Sequence, residues 1–171
     1  MCIRDSKKAA EHKRVFQEYT FQALQPKNSK NSTKAYILAP DENGYLKEVV
    51  NILLRQGVQV EQAENSFTVA DAKSYRTQQS SSKTFPKGTI IVPTNQSKHL
   101  FVNSIFSPEM AIEDSIMYDM STWSTPLAYN LEAYQSKRTV SVKSTTLTKA
   151  LTYAGGVNNP TASYALSLIH I

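Results

Sequence analysis

Cysteine is all but missing from this chain, with Cys2 the only one among 171 residues. A single thiol at the extreme start cannot close an intrachain disulfide or build a thiolate-ligated metal site. Histidine is nearly as scarce, at His12, His99 and His170. His12 is followed by Lys13, Arg14 and Val15, and His99 by Leu100, Phe101 and Val102, so neither opens a ligand pair with a carboxylate three residues on. Both read as ordinary surface or boundary histidines. The Gly-x-Ser-x-Gly turn of α/β hydrolases does not occur, and Gly155-Gly156 lacks the Lys-Ser or third Gly of a phosphate loop. No apolar run approaches the roughly 18 residues that span a bilayer. The chain thus shows no catalytic residues and no metal ligands of its own, and no cofactor is expected in it.

The two ends share an origin at the level of DNA. Met1-Cys2-Ile3-Arg4-Asp5-Ser6 is encoded by ATG TGT ATA AGA GAC AG plus one pyrimidine, and the reverse complement of that DNA encodes Leu166-Ser167-Leu168-Ile169-His170-Ile171 once a last base completes the Ile codon. The shared element resembles the mosaic end that a transposase joins to both sides of a DNA fragment. Residues 1–6 and 166–171 are therefore expected to be foreign to the gene, and Met1 is not read as a natural start.

What lies between is enough for one domain with a core of its own, and a hydrophobic fraction of 40% fits a folded protein rather than a disordered one. The formal charge of +5 is unevenly spread: Lys7, Lys8, Lys13, Arg14, Lys27, Lys30 and Lys34 all precede residue 35, and the remainder is close to neutral. A nucleic-acid surface interleaves basic and aromatic side chains on one face or carries a recognisable motif. Neither is present, so the charge reads as a solvated helix face plus a polar linker, and no nucleic-acid partner is expected.

Residues 11–24 repeat apolar side chains at helical spacing, with Val15, Phe16, Tyr19 and Ala23 on one face, and Pro26 ends the helix. Residues 7–26 are assigned to the end of an upstream domain and 27–34, polar and aperiodic, to a linker. Residues 35–165 form the main module, expected to be truncated at its end. Within it, 35–39 reads as an apolar strand, Pro40–Gly44 as a turn able to cap a helix, and 45–56 as a helix with Leu46, Val49, Val50, Leu53 and Leu54 on one face. Gly57 suits the left-handed position after that helix, and 58–61 alternates as a second strand. Strand, helix, strand in about thirty residues describes a right-handed crossover of the kind that builds parallel sheets. A second unit follows in strand 89–93 and helix 97–106. Residues 70–86, rich in Ser, Gln and Lys, read as an exposed excursion with a short strand at 66–69, and 139–142 as a further strand. The expected fold class is α/β, an open three-layer sandwich with strands 35–39, 58–61 and 89–93 in one mostly parallel sheet and helix 45–56 packed on it.

Two stretches are candidates for binding. Asn95 and Gln96 follow a strand at its carboxyl end, where open α/β sheets hold ligands. Tyr118, Asp119, Trp123 and Pro126 form a dense aromatic and acidic cluster. The plainer alternative is that Asn95 and Gln96 cap the next helix and that Trp123 anchors the core.

The run Phe85-Pro86-Lys87-Gly88-Thr89-Ile90-Ile91-Val92-Pro93-Thr94-Asn95-Gln96, with Glu113-Asp114-Ser115-Ile116-Met117-Tyr118-Asp119 and Ser121-Thr122-Trp123-Ser124-Thr125-Pro126-Leu127-Ala128, resembles the C-terminal region of large bacterial zinc carboxypeptidases. Ser97 stands where that pattern has proline. The resemblance extends over most of residues 11–165. It implies a flavodoxin-like module, similar to class I glutamine amidotransferases, that follows a carboxypeptidase A-like domain. It implies too that the zinc ligands and catalytic glutamate lie in that upstream domain, that the parent is periplasmic or secreted and removes C-terminal residues from peptides, and that this part is a noncatalytic companion. An amidotransferase would carry a cysteine nucleophile, and residues 7–165 offer none. Asn95, Gln96, Asp119 and Trp123 are then candidates for ligand or interdomain contact. A stand-alone small-ligand module and a basic nucleic-acid binder are the competing classes.

The chain is expected neither to bind zinc tightly nor to hydrolyse peptides, because structural zinc takes about four protein ligands and catalytic zinc about three. Calorimetric titration with zinc, beside an assay on peptides with free carboxyl ends, checks this. Submicromolar affinity, or turnover abolished by a chelator, would overturn it.

Overall fold

Ala35-Tyr36-Ile37-Leu38 has no polar side, so as a strand it needs cover on both faces. The structure, a computed structural model, describes residues 3–26, 32–108 and 124–152, and all four of these residues are buried in it. They form β1 (Ala35–Leu38), the middle strand of a seven-stranded sheet. After helix α1 (Ile3–Ala23) and β1, the chain continues through α2 (Tyr45–Arg55), β2 (Glu61–Ala63), β3 (Phe67–Ser74), β4 (Ser80–Phe85) and β5 (Ile90–Pro93). The described residues go on to α3 (His99–Phe106), α4 (Thr125–Ala128), β6 (Ala133–Ser136) and β7 (Ser144–Thr146).

The sheet order is β4-β3-β6-β1-β5-β2-β7, and every neighbouring pair is antiparallel. The expected mostly parallel, flavodoxin-like sandwich is therefore overturned. Strands 35–39 and 89–93 appear as β1 and β5, and α2 packs on their sheet, but residues 58–60 form no strand, β2 begins only at Glu61, and β5 lies antiparallel between β1 and β2. The two strands joined by α2 point the same way without being neighbours. In the same manner β5 and β6, joined across α3 and α4, flank β1. Two interlocked split β-α-β units result, with the strand order and directions of ferredoxin-like folds. Periodicity finds the strands and the helix between them, but it does not say whether a third strand enters the gap.

Hydrophobicity misleads here for a physical reason. A continuous apolar strand usually belongs to a parallel sheet with helices on both sides. In this antiparallel sheet, Tyr36, Leu38, Ile90, Val92 and Ala133 pack against Leu46, Val49, Val50 and Leu53 of α2 and Val102 and Phe106 of α3. The opposite face is covered by the β3–β4 hairpin, where Val69, Ala72 and Phe85 meet Ile37 and Tyr134. Phe85 lies between Phe67 and Tyr134 at ring separations of 5.4 and 5.1 Å. The hairpin occupies residues read as an exposed excursion, because its outward side is a run of Ser and Thr that masks the strand period. Residues 139–142 form no strand, and β6 and β7 lie on either side of them.

Local signals fared better. Gly57 has φ +70°, and the N–H groups of Gly57 and Val58 donate to the carbonyls of Leu54 and Leu53, closing α2 in a Schellman turn. Asp41 Oδ1 accepts from the Leu46 N–H at 3.2 Å at the other end of the helix. Asn51, a polar residue inside the apolar run of α2, exchanges two hydrogen bonds with the backbone of Leu151, at 2.9 and 2.7 Å. That pins the segment after β7 onto the helix. His99 is not a surface or boundary residue: it is 1% exposed at the start of α3. Tyr75, at the hairpin tip, enters the helix-side core and donates to the Phe106 carbonyl, and burial pushes its phenol up, keeping it a neutral donor.

If the hairpin is the second cover of the sheet, Phe85→Ala destabilises the protein by about 3–5 kcal/mol, whereas Phe16→Ala on α1 leaves the urea midpoint unchanged. Equal effects of the two substitutions would mean that the hairpin is not part of the core.

Candidate functional site

The hairpin leaves a cleft where it departs from the central sheet. In β3, Val69 pairs with Lys83 and Ala72 with Ser81, so Ala70 and Asp71 together oppose one residue of β4. This bulge bends β3, which then meets β6 only at Lys73 and Ser74. Ahead of that contact the strands diverge, and Asp71 spans the gap. Its Oδ1 accepts from Ser136 Oγ at 2.7 Å and its Oδ2 from the Lys137 N–H at 3.0 Å.

On one side of this bridge lies a cleft of about 440 Å³ lined by Ser32, Thr33, Asp71, Lys73, Ser80, Gln135 and Lys137. Lys73 pairs in register with Gln135 and with Ser80, and residues paired across strands share a face. These three therefore form a polar row across the sheet on the face that carries Tyr36, since Tyr36 pairs with Gln135. On the other side of the bridge, Phe67, Val69, Arg138 and Val140 line a smaller, more apolar hollow of about 260 Å³.

Ser136 is 1% exposed, and its Oγ also accepts from the Arg138 N–H at 3.0 Å, so it is not presented as a nucleophile despite its contact with Asp71. Thr33 is likewise buried, with its hydroxyl 3.4 Å from Gln135 Oε1. Among the described residues, no group of three or more His, Cys, Asp or Glu is arranged to hold a metal ion.

Beside the cleft, Lys83, Glu132 and Tyr134 form a second polar cluster that fastens β4 across to β6. Lys83 Nζ lies 2.6 Å from Glu132 Oε1 and 2.5 Å from Tyr134 Oη, and the phenol donates to the same carboxylate oxygen at 2.6 Å. The hydrogen bond from Lys83, with a further one from Tyr134, holds the Glu132 carboxyl below its ordinary range. The bond to Glu132 holds the Lys83 ammonium above its ordinary range. Burial, followed by the bond to Glu132, raises the Tyr134 phenol. Each shift favours the state already present at neutral pH, so the cluster is a clasp and not an acid–base pair.

Of the residues singled out from the sequence, Asn95 and Gln96 lie away from this cleft. Gln96 is buried, with Oε1 accepting from the Gln59 N–H at 2.8 Å and Nε2 donating to the carbonyls of Gln59 and Pro93 at 3.1 and 2.6 Å. It ties the end of β5 to the segment entering β2. Asn95 is exposed beside it, and the rule that places ligands at the carboxyl ends of parallel strands does not apply to this antiparallel sheet. Asp119 and Trp123 lie outside the described residues. Sequence reading missed the cleft because its residues are scattered over four segments; the one local trace is Asp71, an acidic residue interrupting an otherwise strand-like run.

No protein family, curated protein or solved structure matches the chain. No helix among the described residues is long and apolar enough to cross a membrane.

The clasp predicts a pH dependence. Glu132 has a depressed carboxyl, so its contribution is complete above the ordinary value of 4.5 and lost as pH falls through the lower folded value. Lys83 has a raised ammonium, so its contribution is complete below 10.5 and lost as pH rises through the higher folded value. Glu132→Gln should flatten the acid limb of unfolding midpoint against pH, by well under about 1 kcal/mol since the pair is partly exposed. An unchanged acid limb would remove Glu132 from that role.

Proposed function

We propose that the chain is a noncatalytic accessory module of a zinc metallocarboxypeptidase, docked through α1 on the upstream peptidase domain of the same polypeptide. The observation that carries this reading is the surface of α1. Val15, Phe16 and Tyr19 lie on one helical face and are 52, 68 and 72% exposed, with Phe21 a further 62% exposed. Val15, Phe16 and Tyr19, with Lys8, Glu11 and His12, line an open hollow of about 520 Å³. Clustered aromatic and aliphatic side chains on a solvent-facing helix mark a contact surface, since water gains nothing from them there. A helix placed ahead of the sheet and apolar on the side it shows to solvent fits the end of a preceding domain. The likeness of residues 85–128 to zinc carboxypeptidases supplies that domain's chemistry. On this reading the zinc, its ligands and the hydrolytic step belong to the preceding domain.

The cleft beside Asp71 favours a second reading, a small-ligand-binding module without enzymatic activity. The two are separated by the longer gene product. If the first holds, the coding sequence ahead of residue 7 contains a His-x-x-Glu pair and a distant His. Hydrogen exchange on that longer protein then shows α1 protected, and Phe16→Asp with Tyr19→Asp removes the protection. A natural start codon just before Lys7, or α1 exchanging as freely in the longer protein as alone, would overturn it.

A further inference from the structure

We infer that the cleft between β3 and β6 is a binding site for a small, hydrophilic oxyanion, a phosphate or a carboxylate. The inference rests on reading the cleft as a ligand site, and it adds the chemistry of the ligand. Asp71 is the only acid among the described residues of the lining, and both its oxygens already accept protein hydrogen bonds, from Ser136 and from the Lys137 N–H. The Thr33 hydroxyl points at Gln135 Oε1, which fixes the carboxamide with its NH2 end away from Thr33. Lys73 and Lys137 take no part in any ion pair among the described residues. Ser32 and Ser80 add hydroxyls.

The unspent groups are therefore two ammoniums, an amide NH2 and two hydroxyls, against one carboxylate that already accepts a hydrogen bond at each oxygen, which leaves the described lining with a net charge of +1. A donor-rich lining of this kind is complementary to oxygen lone pairs and negative charge. Lysines act on such a guest as point charges and need no planar fork, which suits the tetrahedral phosphate as well as the flat carboxylate. Among the described residues the lining has no aromatic ring, so they offer no platform for a base or an apolar tail. The site is placed by the fold: the bulge turns Asp71 to bridge β6, and the register sets Lys73, Gln135 and Ser80 side by side.

The test is a titration of the whole chain, followed by backbone amide NMR, with inorganic phosphate, with succinate and with maltose as a neutral polar probe. Saturable shifts at Thr33, Lys73, Ser80, Gln135 and Lys137 with phosphate or succinate are expected, and the anion that binds more tightly identifies the source. Lys73→Met with Lys137→Met, which keeps the aliphatic stems, should weaken that binding at least about tenfold, while Lys13→Met on α1 leaves it unchanged. If maltose saturates the same amides equally well, the cleft remains a ligand site and the oxyanion inference fails. If no probe gives saturable shifts there, both fail. Equal weakening by Lys13→Met would reduce the effect to diffuse attraction by a basic chain and overturn the inference as well.

Discussion

A strand with apolar side chains on both faces has to be covered twice, and the architecture of this protein follows from that requirement at β1. Tyr36 and Leu38 point to one side and Ala35 and Ile37 to the other, and none is more than 2% exposed. Two helices cover the first side, and the chain has to find its second layer in strands. It does so by folding the β3–β4 hairpin back over the sheet, which places Phe85 and Val69 on Ile37. The polar features then have a common purpose. Gln96 joins β5 to the entry of β2, Asn51 pins the segment after β7 to α2, and Lys83 with Glu132 and Tyr134 fastens the hairpin to β6.

How much of this could be read from the residues depends on the range of the signal. The turn at Gly57, the apolar face of α2 and the strands at β1 and β5 are local patterns, and each lies within a residue or a few of where the spacing puts it. Strand neighbours are not local. Residues 35–63 specify two strands and a helix, yet the strand between them comes from residue 90 onward, and the apolar runs that normally report a parallel sheet here report an antiparallel one covered twice. The hairpin was hidden for a related reason: its buried residues, Val69, Ala72 and Phe85, are too few and too widely spaced to register against the Ser and Thr between them.

The same distinction governs the candidate site. Asn95 and Gln96 stand out in the sequence because two amides follow a strand, but Gln96 spends its amide on backbone groups 37 and 3 residues away. The cleft draws on Ser32–Thr33, Asp71–Lys73, Ser80 and Gln135–Lys137, stretches that become neighbours only when β3 pairs with β6. A single sequence shows the chemistry of such residues but not their convergence.

The bulge at Ala70 and Asp71 also acts as a parity switch. Before it, Phe67 and Val69 turn to the hairpin side; after it, Ala72 keeps that side, and Tyr75 reaches the opposite core beneath α3. One strand and the residue that follows it thereby supply both hydrophobic layers. A chain shortened by one residue at this point would keep nearly the same composition and yet exchange inside for outside along the rest of β3, turning Lys73 toward Ile37 and Ala72 toward water. Length at this position is therefore as much a part of the protein's information as the identity of any side chain.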